Sequence, residues 1–160
     1  MIFLDASAMV KVYVTEQGSS TLKGVLARMR GKLFLSPHVI IEVLSTFAKQ
    51  HRSDVITKTL YRKARSGFLN DIGETYTVME VGAPVFWSAY DLVDRHRQFS
   101  VGALDVLHVA SALKLQASFR RKTVVLATAD RGLLSLARAA GVKTFNPVLD
   151  PLAVLLASVN

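Results

Sequence analysis

The first seven residues constrain this chain more than any other stretch. Ile2-Phe3-Leu4 is a run of three large apolar side chains that stops on a carboxylate, Asp5, before Ala6-Ser7. A strand with apolar residues at consecutive positions has no polar face to offer water, so it belongs in a sheet covered on both sides, as parallel sheets are. The acid then stands at the carboxyl end of a buried strand, the edge where open α/β sheets collect their ligands.

The rest of the chain alternates between strand and helix signals. Residues 7–15 fit a short helix begun by Asp5 or Ser7 as N-cap, and 16–20 read as a turn. Leu22, Val25, Leu26 and Met29 recur at helical spacing until Gly31 closes the helix, and 33–35 form a second strand. Ser36-Pro37 opens a helix to about residue 50, with Glu42 among apolar neighbours, and Ser53-Asp54 caps a longer helix to about residue 72. Residues 75–78 read as a third strand, and Gly82-Ala83-Pro84 opens a helix toward His96. An apolar, central helix spans 102–117 with Asp105 in its first turn, where the helix dipole favours negative charge. Arg120-Arg121-Lys122 leads into a strand at 123–127. Asp130 caps a helix that stops at Ala140-Gly141, 142–145 is a fifth strand, and Asp150-Pro151 starts a closing helix. This order predicts one α/β domain over residues 1–160, a parallel sheet flanked by helices.

Composition narrows the function classes. Hydrophobic residues are 51% and charged residues 20% of the chain, which excludes disorder. The longest apolar stretches fall far short of the roughly 20 residues a membrane span needs. No basic segment precedes the first apolar run, so no signal peptide is read and a cytoplasmic location without membrane contact is expected. With no cysteine, disulfides, thiolate zinc sites and cysteine nucleophiles are excluded, and any metal must be held by oxygen or imidazole. The net charge of +8 suits a polyanionic partner such as nucleic acid. By itself it equally suits acidic lipids, acidic proteins or a surface charged for solubility.

Four acids carry the candidate chemistry. Taken singly, Asp5 and Asp130 fit N-caps, Asp105 fits a dipole-compensating acid, and Glu42 fits a neutralised or paired core residue. Taken together, two follow apolar strands and two lie early in helices, so a parallel sheet can gather all four on one rim. Clustered carboxylates repel one another unless cations intervene. Oxygen ligands select hard cations, so magnesium or manganese is the expected occupant and phosphodiester hydrolysis the expected reaction.

Phe3-Leu4-Asp5-Ala6-Ser7, Glu42 after Ser36-Pro37, Asp105-Val106-Leu107-His108-Val109-Ala110 and Thr128-Ala129-Asp130-Arg131-Gly132-Leu133-Leu134 resemble, in order, the motifs of PIN-domain ribonucleases, nearest to the VapC-type toxins of toxin–antitoxin pairs. The resemblance covers almost the whole chain. It implies a five-stranded parallel sheet and an endoribonuclease dependent on Mg2+ or Mn2+. It also implies a homodimer inhibited by a cognate antitoxin whose tail fills the active groove. By position it gives metal-binding and catalytic roles to Asp5, Glu42, Asp105 and Asp130, with Ser7 and Thr128 as supporting hydroxyls. Such domains also serve RNA maturation and decay outside toxin systems.

Other residues make weaker candidates. Lys58, Arg62 and Arg65 form a basic stripe at helical spacing, and Arg95 and Arg97 a basic loop, both suited to RNA. His108, on an apolar helix, reads as a packed histidine rather than a ligand. Lys11 and Glu16 rank below the acids as rim residues, and Trp87 reads as core or dimer interface rather than a base-stacking platform. A phosphotransfer domain would want a second acid where Ser7 stands. A binding module with a vestigial metal site is opposed only by the complete acid set, and no glycine-rich loop follows a strand to hold a nucleotide cofactor.

Overall fold

The computed structural model describes residues 1–119 and 122–159; the Arg120-Arg121 lead-in expected from the sequence lies outside them. The described residues form five parallel strands: β1 (Ile2–Leu4), β2 (Leu33–Leu35), β3 (Thr77–Val78), β4 (Val125–Ala127) and β5 (Lys143–Phe145). They lie in the order β3-β2-β1-β4-β5. All three residues of β1 are fully buried, as an apolar run covered on both faces requires.

Among the described residues eight helices surround the sheet: α1 (Ala6–Tyr13), α2 (Ser19–Arg28), α3 (Pro37–Arg52), α4 (Lys58–Asp71), α5 (Ala83–Arg95), α6 (Ala103–Ser118), α7 (Arg131–Ala139) and α8 (Leu152–Val159). The chain winds from β1 outward through β2 to β3, then returns through α5 and α6 to place β4 on the other side of β1. The strand order therefore reverses between β1 and β4, and the crevice at their carboxyl ends is the topological switch point where doubly wound sheets bind ligands. The register pairs Leu4 with Ala127, so the next residues, Asp5 and Thr128, emerge side by side. Both α1 and α7 begin there.

Local sequence explains most of the boundaries. Asp5 caps α1 by accepting from the Ser7 N–H, Asp130 caps α7 by accepting from Leu133 N–H, and prolines occupy the first turns of α3 and α5. Gly18, in the left-handed conformation at φ 91°, begins α2; a Cβ there would come within 2.9 Å of the Pro147 carbonyl oxygen.

Several expectations are corrected. Helix α3 runs on to Arg52, Asp54 turns the chain at φ 55°, and Thr57, not Ser53 or Asp54, caps α4 by accepting from Leu60 N–H. Ser36 holds the N-cap position of α3 without capping it, because its hydroxyl contacts His38 Nε2 at 2.9 Å instead. Strand β3 shrinks to an exposed two-residue edge, while Tyr76 turns into the core. Trp87 is 71% exposed and is no part of the core. It shares the outer face of α5 with the exposed Phe86, Tyr90 and Val93.

Candidate metal centre

Asp5 is held by three donors, all on one oxygen. Its Oδ2 accepts from the Ser7 backbone N–H at 3.1 Å, the Ser7 hydroxyl at 2.6 Å and the Thr128 hydroxyl at 2.8 Å. Each hydroxyl is itself aimed by a backbone amide: Ala129 N–H donates to Ser7 Oγ, and Asp130 N–H to Thr128 Oγ1. Both hydroxyl protons are thus spent on Asp5, and the 3.1 Å approach between the two oxygens is a packing contact. The result is a buried carboxylate whose rotation is stopped and whose Oδ1 faces the crevice. Hydrogen bonds placed behind a carboxylate in this way orient it before any ion arrives.

Oδ1 of Asp5 meets His108 Nε2 at 3.2 Å, and the same nitrogen lies 2.7 Å from Glu42 Oε2. Ligand-type atoms of Asp5, Glu42 and His108 all fall within 4.8 Å of one another. Glu42, from the second turn of α3, is half-buried, and His108, from α6, is 1% exposed. Burial pulls the His108 pKa down, but Glu42 and Asp5 outweigh it, and the imidazole is held above its ordinary value. His38 stacks against His108 at a centroid distance of 4.8 Å. Burial and the neighbouring imidazole press its own pKa down to about 4.

Asp105 and Asp130 border this group without joining its tight core. Asp105 Oδ2 accepts from Gly102 N–H at 2.8 Å at the start of α6. Burial raises the Asp105 pKa, the Gly102 bond opposes that, and the charges of Asp130 and Asp5 add to the rise. Asp105 thus senses both of the other rim aspartates. Asp130 Oδ1 is engaged with Leu133 N–H at 2.8 Å, which leaves Oδ2 free on an exposed residue. Carboxylate oxygens of this kind, on Asp5, Glu42, Asp105 and Asp130, are the type of donor that hard divalent cations take.

Of the four acids expected on one rim, the structure brings Asp5 and Glu42 together with His108, and sets Asp105 within electrostatic reach of Asp5 and Asp130. His108 is buried as expected, but it touches two of the acids, which the sequence reading did not foresee. Its position three residues after Asp105, on the same helical face, was the available signal. Lys11 and Glu16 pair with each other at 3.0 Å. Lys11 lies in the last turn of α1, six residues and about 9 Å along the helix from Asp5. Lys58, Arg62 and Arg65 on α4 are exposed, as are Arg95 and Arg97; Arg95 is not in a loop as expected but in the last turn of α5, in weak contact with Asp91 at 3.4 Å, and only Arg97 lies beyond the helix.

A doubly wound parallel sheet with acids at its switch point defines a class of α/β proteins before any relative is named. Residues 2–141 match the PIN domain, and the chain belongs to that family, which is a family of nucleases. Solved structures of similar fold include FitAcB from Neisseria gonorrhoeae, with TM-score 0.66, 17% identity, and coverage of 94% of this chain and 100% of that one. VapC20 from Mycobacterium tuberculosis, described as a sarcin-ricin loop cleaving toxin, gives TM-score 0.62 at 17% identity, covering 89% and 96%. PAE2754 from Pyrobaculum aerophilum gives 0.61 at 20% identity, covering 98% and 95%. Among curated proteins nothing matches. Among the described residues, no helix is long and apolar enough to cross a membrane.

Proposed function

We propose that this protein is a divalent-metal-dependent endoribonuclease and the toxin of a toxin–antitoxin pair. The observation that carries the reading is the Asp5 carboxylate, immobilised through one oxygen by Ser7 and Thr128 while the other faces Glu42 and His108 at the switch point of a PIN fold. A carboxylate fixed through one oxygen keeps the other oriented for a ligand. Asp5, Glu42, Asp105 and Asp130 would hold Mg2+ or Mn2+, and Ser7 and Thr128 position Asp5. When bound, such an ion offsets the charge of the scissile phosphate and makes water acidic enough to act as nucleophile near neutral pH.

The remaining roles fall to the protein surface. Lys58, Arg62, Arg65, Arg95 and Arg97 hold the RNA backbone by charge, which lets an acidic pocket accept an anionic substrate. A cognate antitoxin is the proposed regulator, since the structurally similar VapC20 is described as a toxin. The active form is proposed to be a cytoplasmic homodimer, and the apolar outer face of α5 around Trp87 is the surface a second copy would cover.

The test is direct. Purified protein should cleave single-stranded RNA internally with Mg2+ or Mn2+ and stop on chelation by EDTA. Undiminished cleavage in EDTA would remove the metal from the reaction. Metal binding without cleavage of any RNA would point instead to a binding module on the same fold.

A further inference from the structure

Three of the five buried side-chain polar atoms that lack a hydrogen-bond partner among the described residues belong to just two side chains: Glu42 Oε2 and both nitrogens of His108. Glu42 Oε2 and His108 Nε2 are 2.7 Å apart, a charge contact, yet neither atom has a well-aligned hydrogen-bond partner. A buried histidine with a purely structural role ordinarily anchors at least one ring nitrogen. This one leaves Nδ1 without a partner and turns Nε2 toward the two carboxylates, with the ring packed between His38 at a centroid distance of 4.8 Å and Phe3 at 6.5 Å.

Resting on the metal-centre reading above, we infer that His108 Nε2 is itself a metal ligand beside Asp5 Oδ1 and Glu42 Oε2, making a mixed nitrogen–oxygen centre that takes Mn2+ in preference to Mg2+. The separations of 3.2 Å and 2.7 Å between Nε2 and its two carboxylate neighbours are those of adjacent corners around one small cation. With Oδ2 of Asp5 pinned by Ser7 and Thr128, Oδ1 is the oxygen that remains for this corner. A cation among the three atoms gives Glu42 Oε2 and His108 Nε2 the partner each lacks. Imidazole suits first-row transition metals, while magnesium keeps to oxygen, so the nitrogen biases the centre toward manganese. His108 also lies one helical turn beyond Asp105, so α6 delivers two candidate ligands from one face.

Pulsed electron paramagnetic resonance of the Mn2+-loaded protein tests this without reference to catalysis. The spectrum should carry the nitrogen modulation of a coordinated imidazole, and growth on 15N-histidine should change it. The modulation should vanish in His108→Gln and survive in His38→Gln, which separates the two stacked rings. Titrations should show the Mn2+ to Mg2+ affinity ratio of His108→Gln falling by at least about tenfold. A wild-type protein that binds Mn2+ with no nitrogen coupling would overturn the assignment of His108 and leave the carboxylate centre standing. Failure to bind Mn2+ at all would sink that centre as well. The isotope experiment needs only the wild-type chain, so a variant that fails to fold leaves the question decidable.

Discussion

Two partly buried clusters in this protein each combine a carboxylate with aromatic polar groups, and they are finished to different degrees. In the first, the Tyr13 hydroxyl donates to Asp71 at 2.6 Å and meets the Tyr76 hydroxyl at 3.0 Å, tying α1 to the end of α4 and the approach to β3. Phe47 and Phe68 pack edge-on against the Tyr13 ring, and none of these polar atoms is left without a partner. In the second, Asp5 is equally well satisfied on one oxygen, but Glu42 and His108 crowd its other side with atoms that no hydrogen bond reaches. A complete network resembles a joint; an incomplete one, at the switch point of the sheet, resembles a seat. The difference is chemical rather than positional, because leaving a buried polar atom unpaired costs about 1–3 kcal/mol and is retained where a ligand repays it.

The sharpest way to break the contrast is to remove one charge from the seat. Asp105→Asn keeps the shape of the side chain, so RNA cleavage should fall by more than about 100-fold. In EDTA its melting temperature should be equal to or higher than that of the wild type, because Asp105 carries a carboxyl whose pKa is already raised by burial and by Asp130 and Asp5. A variant that melts lower and still cleaves at the wild-type rate would make Asp105 a dipole-compensating acid and nothing more.

Loosening the support of Asp5 should do less. Ser7→Ala and Thr128→Ala each remove one of the hydroxyls that stop the carboxylate from turning. Metal affinity should drop about 10–100-fold by calorimetric titration, with the fold intact. Unchanged affinity in both would mean that the pinned oxygen has no bearing on the seat.

The joint should answer to different agents. Adding Mn2+ at a hundred times its dissociation constant should stabilise the wild type by about 2.7 kcal/mol. Tyr13→Phe should cost about 1–3 kcal/mol of stability, by the same amount with and without metal, and leave cleavage untouched. A cost that disappears when metal is added would show the two clusters to be coupled.

Alkali should attack the joint as well. Burial raises the pKa of Tyr13 above its ordinary value, with Tyr76 and Asp71 adding to it, and burial pushes Tyr76 up to about 12. The unfolded tyrosines ionise near pH 10 while the folded ones keep their protons. Their contribution is therefore complete below about pH 10 and is lost as pH rises, at about 1.4 kcal/mol per pH unit for each tyrosine while only the unfolded form is ionised. Denaturant melts between about pH 9 and about pH 12 should show this fall, and Tyr13→Phe should make it shallower.

The smallest effects belong to the surface. Charge reversal at Arg62 or Arg65 on exposed α4 should weaken RNA binding and lower the salt slope by about 1 for each phosphate that is no longer neutralised, with both clusters undisturbed. A slope that stays the same would make the stripe a solvated face.

What the sequence determined by itself was local. Ile2-Phe3-Leu4 demanded a strand buried on both faces; Asp5 and Asp130 declared the helices they cap; and glycines and prolines marked the ends. Each of these depends on residues within a few positions of one another, so each could be read without coordinates. The four acids could be foreseen as neighbours, since a parallel sheet directs every strand's carboxyl end to the same edge.

What only the tertiary structure decided was how distant parts of the chain meet and which way single side chains face. Asp5 and Thr128 are 123 residues apart, and nothing local to either says that the hydroxyl lands on Oδ2 rather than Oδ1. His108 looked like one more packed residue because periodicity reports which face of a helix is apolar, not what lies across from it. Trp87 could be read as core or as dimer interface, and only its exposure removed the first; Ser36 looked like a cap until His38 took its hydroxyl. Burial and partnering depend on the packing of whole elements, and that packing turned a row of acids into a pinned carboxylate facing an unsatisfied glutamate and histidine.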